Sequence, residues 1–240
     1  MVKYSAEAQR TKIRRASLVT KTHRHLPSIP RPRILDLDVK AHLEYTSRIA
    51  HAFANHLARK NFRYTNANHT QKIVSGADAE KVGLAAGLHD LGKIDPKIHK
   101  AIAGTKRLSH HKREQMEHHV NEGTRIINEQ WNNLPRTGKQ AVLNGVRTHH
   151  EHFDGSGYPR GLHGTQIPIH GRILAVADVF CALTEERSYK KGMPTARAMR
   201  LIQKQSERLF DPSLVKEFIE FAENRNFELY RPTRRPTARK

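Results

Sequence analysis

Apolar residues recur along most of this chain at the spacing of an α-helix, and no segment alternates apolar and polar residues over a sustained stretch. In the first such region Leu43, Ala50, Phe53 and Leu57 follow one another at intervals of seven, three and four residues. That spacing puts side chains on one face of a helix, whereas a half-buried strand needs alternation. The sequence therefore predicts an all-α fold, a single helical-bundle domain of about seven helices between residues 34 and 230.

Capping residues and prolines indicate where these helices begin. The second helix should begin after the cap Asp78 and run to about Leu91, and the third should run unbroken from about Ser109 to Gln130. A polar loop is expected between the first two helices, and the sixth helix should bury Leu201. The remaining helices are expected to start beside Asp36 or Asp38, Pro135, Pro168, Pro194 and Pro212.

The formal net charge of +20 at pH 7 is concentrated at the two ends of the chain. Residues 1–33 hold nine Lys or Arg and one Glu, and residues 231–240 hold five basic residues and no acid. We therefore expect a flexible, proline-containing basic arm over residues 1–33, the helical domain over 34–230 and a basic tail over 231–240. Such ends bind polyanions weakly and without specificity.

Cysteine usage and apolar runs bear on where the protein works. Cys181 is the only cysteine, which excludes an internal disulfide and fits a reducing compartment. No run approaches the roughly 18 to 20 apolar residues of a membrane-spanning helix. The basic amino terminus also lacks the apolar core of a secretory signal. The sequence thus predicts a cytoplasmic protein with no membrane span.

The adjacent histidines His149 and His150 are the first candidates for chemistry. Neighbouring side chains on a regular element point in different directions, so both can reach one metal only where the backbone bends, typically at a helix end. Gly155 and Gly157 follow closely and allow such a bend. The pair is therefore expected to lie at the end of a helix.

Two further stretches complete a candidate metal-binding set. His89 and Asp90 stand at the end of the second predicted helix, and His119 should face inward from the third, with His118 pointing more outward. Asp178 lies close to the apolar stripe of the fifth predicted helix, where an unpaired carboxylate would be costly to bury. The candidate ligands are His89, Asp90, His119, His149, His150 and Asp178.

Imidazoles and carboxylates without thiolates suit Mn, Fe, Zn, Ni or Co and argue against a structural zinc finger. A carboxylate can bridge two metals, and two metals about 3.5–4 Å apart can share an activated hydroxide for in-line attack on phosphorus. Hydrolysis of a phosphodiester is the reaction class that this set supports.

The order and spacing of these residues resemble the HD-GYP family of cyclic di-GMP phosphodiesterases over about residues 40–222. The resemblance rests on His89-Asp90-Leu91-Gly92-Lys93, on Met116, His119 and Gly123, on His149-His150-Glu151 and on the loop Asp154-Gly155-Ser156-Gly157-Tyr158-Pro159. It continues through Ile167-Pro168, Arg172-Ile173, Asp178, Ala182-Leu183-Thr184, Arg187, Tyr189-Lys190 and Phe210-Asp211-Pro212.

The resemblance implies an enzyme that opens cyclic di-GMP to pGpG, and further to GMP, with two divalent metals. Fe or Mn are the expected ions, and Zn, Ni and Co are compatible with the same ligands. His89, Asp90 and Asp178 would hold one metal. Asp90 would bridge to a second metal held by His119, His149 and His150.

The resemblance also implies groups that handle the substrate and partners. Lys93 would lie beside the phosphate and stabilise charge in the transition state. Arg187 and Lys190 would contact substrate phosphate. The signature loop, through which family members are thought to meet protein partners, contains Gly155, Gly157, Tyr158 and Pro159.

The first helix departs from the family pattern. Family members usually place a metal-binding histidine three residues before the position of Arg48, and this chain has Tyr45 there. Tyr45 could bind a metal as a phenolate, or His42, one turn earlier on the same helix face, could replace the missing ligand. Alternatively, Tyr45 packs in the core. The alternative function is a catalytically weak or inactive domain that acts as a nucleotide receptor or docks protein partners.

Overall fold

The computed structural model describes residues 37–102, 109–130, 136–186 and 191–223, together with Arg225 and Phe227. All of them belong to one compact unit, Arg33–Lys240. Several predictions therefore lie outside the described residues: the basic arm and its polyanion binding, the basic tail, the helix starts at Asp36 and Pro135, and the phosphate contacts of Arg187 and Lys190.

The described residues form nine α-helices, which confirms the prediction of an all-α fold. The helices are α1 (Leu37–Arg59), α2 (Gly76–Ala86), α3 (Pro96–Ile102), α4 (His110–Glu117), α5 (His119–Gln130), α6 (Arg136–Thr148), α7 (Ile169–Thr184), α8 (Thr195–Lys204) and α9 (Pro212–Glu223). Short 3₁₀ turns cover Leu91–Ile94 and Gly164–Gln166. None of the described helices combines the length and the apolar character needed to cross a bilayer.

A short hairpin replaces the polar loop that was expected between the first two helices. Strand β1 (Arg63–Thr65) pairs antiparallel with β2 (Gln71–Ile73), and Asn66 closes the turn by accepting the backbone N–H groups of Asn68 and Thr70. Both strands have only three residues and are mostly exposed or half-buried, too short to show the alternation of a strand. Sequence periodicity could not have detected them.

The helix expected from Ser109 to Gln130 is in fact two helices that meet at His118. At this junction the carbonyl of Met116 accepts both the backbone N–H of His118 and the Nδ1–H of His119. The His119 ring thus donates to a carbonyl that, in a continuous α-helix, would accept the backbone N–H of Val120. His119 becomes the first residue of α5 and is fully buried, whereas His118 is exposed.

Two smaller expectations were wrong. The N-cap of α2 is Ser75, not Asp78, and Asp78 is the third residue of a capping box that accepts the Ser75 backbone N–H at 3.0 Å. Asp78 and Ser75 are three residues apart, so either acid or hydroxyl fits the sequence signature of a cap. Leu201 on α8 is 37% exposed rather than buried, while Ala198 and Ile202 fill the core side of that helix.

Helix α7 lies in the middle of the core, where α1, α2, α6, α8 and α9 all contact it. Its apolar residues Ile173, Leu174, Ala177 and Phe180 are fully buried. Phe180 stacks edge-on with Phe218 of α9 at 5.1 Å between ring centroids. The carboxylate of Asp178 is carried into the interior by this helix, as its position near the apolar stripe predicted.

Candidate metal centre

Helix ends from three parts of the chain bring the candidate ligands together. His89 and Asp90 follow the end of α2, His149 and His150 follow the end of α6, and His119 opens α5. Beyond a helix end, neighbouring side chains no longer have to point in the different directions that a regular helix imposes. The two residues of each pair can therefore face one centre. The structure also brings in Asp178 from the middle of α7.

Three of these histidines are oriented by the same hydrogen bond. The Nδ1 atoms of His89, His119 and His149 each lie 2.7 Å from the backbone carbonyl three residues earlier, those of Ala86, Met116 and Val146. A carbonyl can only accept, so Nδ1 carries the proton in each ring and Nε2 presents a lone pair when the ring is neutral. Each ring therefore points a metal-binding nitrogen into the centre.

Four residues form what we call the Asp90 cluster, with one ligand atom from each lying within 4.8 Å of the others: Asp90, His119, His149 and His150. Within it, the Nε2 atoms of His119 and His149 are 3.4 Å apart. Because both rings hold their proton on Nδ1, this contact brings two lone pairs together and is not a hydrogen bond. A cation between the two nitrogens would remove the repulsion.

A second group, which we call the His42 cluster, consists of His42, His89 and Asp178. Asp178 Oδ1 lies 3.0 Å from His42 Nε2 and 3.5 Å from His89 Nε2. Asp90 stands between the two clusters, with Oδ1 3.3 Å from His119 Nε2 and Oδ2 3.5 Å from His89 Nε2. This is the arrangement that a carboxylate bridging two metals needs.

The polar atoms of the centre fit divalent cations. Among the described residues, His89 Nε2 and Asp90 Oδ1 are buried and have no hydrogen-bond partner. A buried polar atom without a partner is costly, and a metal would satisfy both atoms at once. The donor set of imidazoles and carboxylates is one that first-row divalent ions accept.

Charges in the centre favour the ligand forms of these side chains. Burial alone would raise the pKa of Asp90, but the positive charge of Lys93 and the nearby His89 and His119 side chains outweigh it and hold that pKa well below its usual range. Burial lowers the pKa of His119, pushes that of His149 well below its ordinary value, and lowers that of His150 to about 3. These three histidines are therefore neutral at pH 7 and can bind a metal without losing a proton.

Tyr45 and His42 occupy different environments although both lie on α1. Tyr45 is fully buried, and its hydroxyl lies 3.3 Å from Thr184 Oγ1. His42 instead extends to Asp178 and joins the ligand atoms of its cluster. Of the two candidates for the missing first-helix ligand, the structure brings His42 to the carboxylate of the centre.

Lys93 lies at the edge of the centre, on the 3₁₀ turn that follows Asp90. Its Nζ donates to Asp90 Oδ2 at 2.6 Å, and the side chain keeps 21% of its surface exposed. A cation in that position, partly open to solvent, can contact an anion that approaches Asp90.

The signature loop is anchored at its base by Glu151, for which the sequence alone predicts no role. Its buried carboxylate accepts the backbone N–H groups of Arg160 and Leu162, both at 2.9 Å. Tyr158 stacks on His150, with 4.7 Å between ring centroids. A side chain on Gly157 would collide with main-chain atoms of residues 150–152, so only glycine lets the loop fold back against the ligand pair.

Gly155 and Pro159 also belong to the signature loop. Gly155 has a φ of +87°, which favours glycine, and Pro159 follows Tyr158 directly. Protein docking through this loop remains a prediction.

Known proteins resemble the chain in sequence. A family model described as "HD domain" matches residues 37–214. The chain is 37% identical over 163 residues to a cyclic di-GMP phosphodiesterase of Thermotoga maritima, covering 63% of this chain and 43% of the relative. It is also 37% identical over 147 residues to 3'3'-cGAMP-specific phosphodiesterase 2 of Vibrio cholerae, covering 60% of this chain and 27% of the relative. The chain thus spans less than half the length of either relative.

The fold is similar to that of a solved structure, Bd1817 of Bdellovibrio bacteriovorus, which is described as an HDG"Y"P protein. The TM-score is 0.56 at 16% sequence identity, and the match covers 78% of this chain and 53% of the other. At that identity the likeness concerns the fold alone. The family model, in contrast, spans most of the chain and includes every residue of the two clusters. The chain therefore belongs to the HD domain family, and its sequence motifs resemble those of the HD-GYP proteins.

Proposed function

We propose that this chain is a two-metal phosphodiesterase that hydrolyses cyclic di-GMP to pGpG and further to GMP. The observation that carries the proposal is the position of Asp90, which presents one carboxylate oxygen to His119 and the other to His89. The names of the relatives, which are phosphodiesterases of cyclic dinucleotides, support the substrate class.

In this proposal the Asp90 cluster holds one metal, and the His42 cluster holds the other together with the second oxygen of Asp90. Fe or Mn are the proposed ions, and Zn, Ni and Co fit the same imidazole and carboxylate donors. Two such metals, when bound, would activate a water for in-line attack on phosphorus. The protein groups keep His89, His119 and His149 oriented through their backbone hydrogen bonds and place Lys93 beside the bridging carboxylate.

Lys93 should contribute to turnover more than to metal binding. Lys93→Met is expected to lower kcat by about 100-fold, because the ammonium that would stabilise the phosphorane-like charge is lost. Metal content should stay at the wild-type value, since Lys93 is a cation and not a ligand. Steady-state kinetics and metal analysis of the same preparation measure both quantities.

Lys97→Met provides the matched control, because Lys97 is exposed on α3 one turn further along. Its kcat should stay within about twofold of wild type. Equal losses in the two variants would indicate a general effect of charge and remove Lys93 from the proposed machinery.

Affinity for the metal of the His42 cluster should rise with pH. Burial opposes the charged form of His42, but hydrogen bonds to Asp178 and Glu185 outweigh it and raise the pKa of His42 to about 9 in the metal-free protein. A metal must displace this proton, so affinity should increase about tenfold for each pH unit below that pKa and level off above it. Manganese titrations between about pH 6.5 and about pH 8.5 measure this slope. A flat profile would contradict the assignment of His42 as a ligand.

The decisive experiment is anaerobic incubation of the Mn- or Fe(II)-loaded protein with cyclic di-GMP, with 3'3'-cGAMP in a parallel reaction and Asp90→Asn as the inactive control. Chromatography should detect pGpG and then GMP from wild type alone. Faster turnover of 3'3'-cGAMP would change the proposed substrate. Absence of turnover with two metals bound would overturn the enzymatic proposal, and tight binding of the intact nucleotide would then favour the receptor function.

A further inference from the structure

Glu185 is a buried carboxylate next to the centre that neither the ligand set nor the substrate contacts account for. It directly follows the last residue of α7, is 8% exposed, and places Oε2 3.1 Å from Nδ1 of His42. His42 therefore lies between two carboxylates, with Asp178 at its other ring nitrogen, 3.0 Å away. Both acids come from α7 or its end, seven residues and about two helical turns apart.

The position of His42 in its helix explains why it needs such a partner. His89, His119 and His149 donate Nδ1–H to carbonyls in the last turns of α2, α4 and α6. Carbonyls there have no partner within their helix and are available to side chains. His42 lies inside α1, where the backbone carbonyls are engaged in the helix itself. An acceptor for its Nδ1–H must come from another element.

The junction between α7 and the following residues supplies that acceptor at a fixed place. The Glu185 backbone N–H donates to the carbonyl of Cys181 at 2.8 Å, which ties the residue to the end of the helix. The neighbouring Thr184 lies against the hydroxyl of Tyr45 at 3.3 Å. Helix α1 is thus held to the end of α7 by two consecutive residues, one of which faces His42.

We propose that Glu185 is a positioning residue that orients His42 and strengthens it as a metal ligand. With Nδ1–H donated to a carboxylate, Nε2 is directed at Asp178 and at the metal of the His42 cluster. A carboxylate is also a stronger acceptor than a carbonyl, which increases the electron density on the ligating nitrogen. The inference rests on the proposed two-metal function, because it concerns the ligand of one of those metals.

The test is to measure manganese binding to metal-stripped protein by chelator competition, which gives stoichiometry and two dissociation constants without any activity assay. Glu185→Gln keeps the shape of the side chain and removes its charge. Measured above the His42 pKa of about 9, where no proton competes with the metal, it should raise one dissociation constant about tenfold and leave the other within about twofold. The Asp90 cluster is the internal reference. Its residues His119 and His149 donate Nδ1–H to backbone carbonyls, which a substitution of Glu185 does not change. His42→Ala identifies the affected constant, since it should weaken the same site.

Glu80→Gln is the matched control. Glu80 lies 3.0 Å from His51 Nε2, so this variant breaks a Glu–His contact of similar length between α1 and α2, but at the surface. Both of its constants should equal those of wild type. Glu185→Asp keeps the charge but moves it away from His42 by the length of one methylene, so it should weaken the same site as Glu185→Gln. Circular dichroism of each metal-free variant checks that the variant is folded.

The outcomes separate this inference from the function on which it rests. Wild type that binds fewer than two metals per chain would overturn the two-metal proposal and the inference with it. Two metals in wild type with unchanged constants in Glu185→Gln, or with both constants raised equally, would overturn the inference alone. A selective loss at the site that His42→Ala identifies would support it.

Discussion

Asp90→Asn should abolish the hydrolysis of cyclic di-GMP, with kcat/KM falling by about 10⁴-fold or more. The carboxylate faces both clusters, with one oxygen 3.3 Å from His119 Nε2 and the other 3.5 Å from His89 Nε2. An amide offers one neutral oxygen and an NH₂ group, which cannot bind a cation. Both metal sites should therefore weaken together, which distinguishes Asp90 from residues that serve one site.

Steady-state kinetics and manganese stoichiometry on the same sample check this result. Asp95→Asn is a suitable control, because Asp95 caps the start of α3 by accepting the backbone N–H groups of Lys97 and Ile98, and Asn caps a helix about as well as Asp. The control should retain activity and two metals. Loss of only one metal in Asp90→Asn would refute the bridging position.

Gly92→Ala should cause the largest loss of stability among single-methyl substitutions near the centre. A Cβ at this position would collide with the carbonyl of His119 and come within 2.6 Å of the backbone nitrogen of Gly123. Both of these groups belong to the main chain of α5, so they cannot avoid the added Cβ by rotating as a side chain could. We expect the free energy of unfolding of the metal-free protein to fall by about 3 kcal/mol. Displacement of His119 should also weaken the metal of the Asp90 cluster.

Urea denaturation of the metal-free protein and manganese titration test the two effects. Gly138→Ala serves as the control, because nothing lies within 4 Å of a Cβ built at that position in α6. Alanine is the better helix former, so this variant should be as stable as wild type or more stable by up to about 1 kcal/mol. Similar destabilisation of both variants would show that the close packing of α5 on the turn after Asp90 is not the cause.

Local sequence was sufficient to place the candidate ligands that stand at helix ends. The pairs His89-Asp90 and His149-His150 were each expected where a helix ends, and the structure has them there. It could not reveal the break at His118, because the apolar spacing continues across it. At the break the His119 ring donates a hydrogen bond to a carbonyl, and hydrophobic periodicity carries no information about such bonds.

The choice between Tyr45 and His42 also lay beyond the sequence. The two residues are three apart on α1 and share a face, so either could approach the centre. Which one does so depends on how α1 packs on α7, where Tyr45 is fully buried beside Thr184. Glu185 was missed for a similar reason, since its partner His42 is 143 residues away in the chain. Its spacing of seven residues from Asp178 was the available signal.

The hydrogen bonds behind the ligands have a consequence for how the centre can change over evolutionary time. The acceptors behind His89, His119 and His149 are main-chain carbonyls, which every amino acid supplies. As long as each helix ends at the same residue, no substitution of a neighbouring side chain can remove these carbonyl acceptors. The acceptor behind His42 is a side chain, so one altered codon at Glu185 removes it. Sequence drift can therefore adjust one of the two proposed metal sites independently of the other.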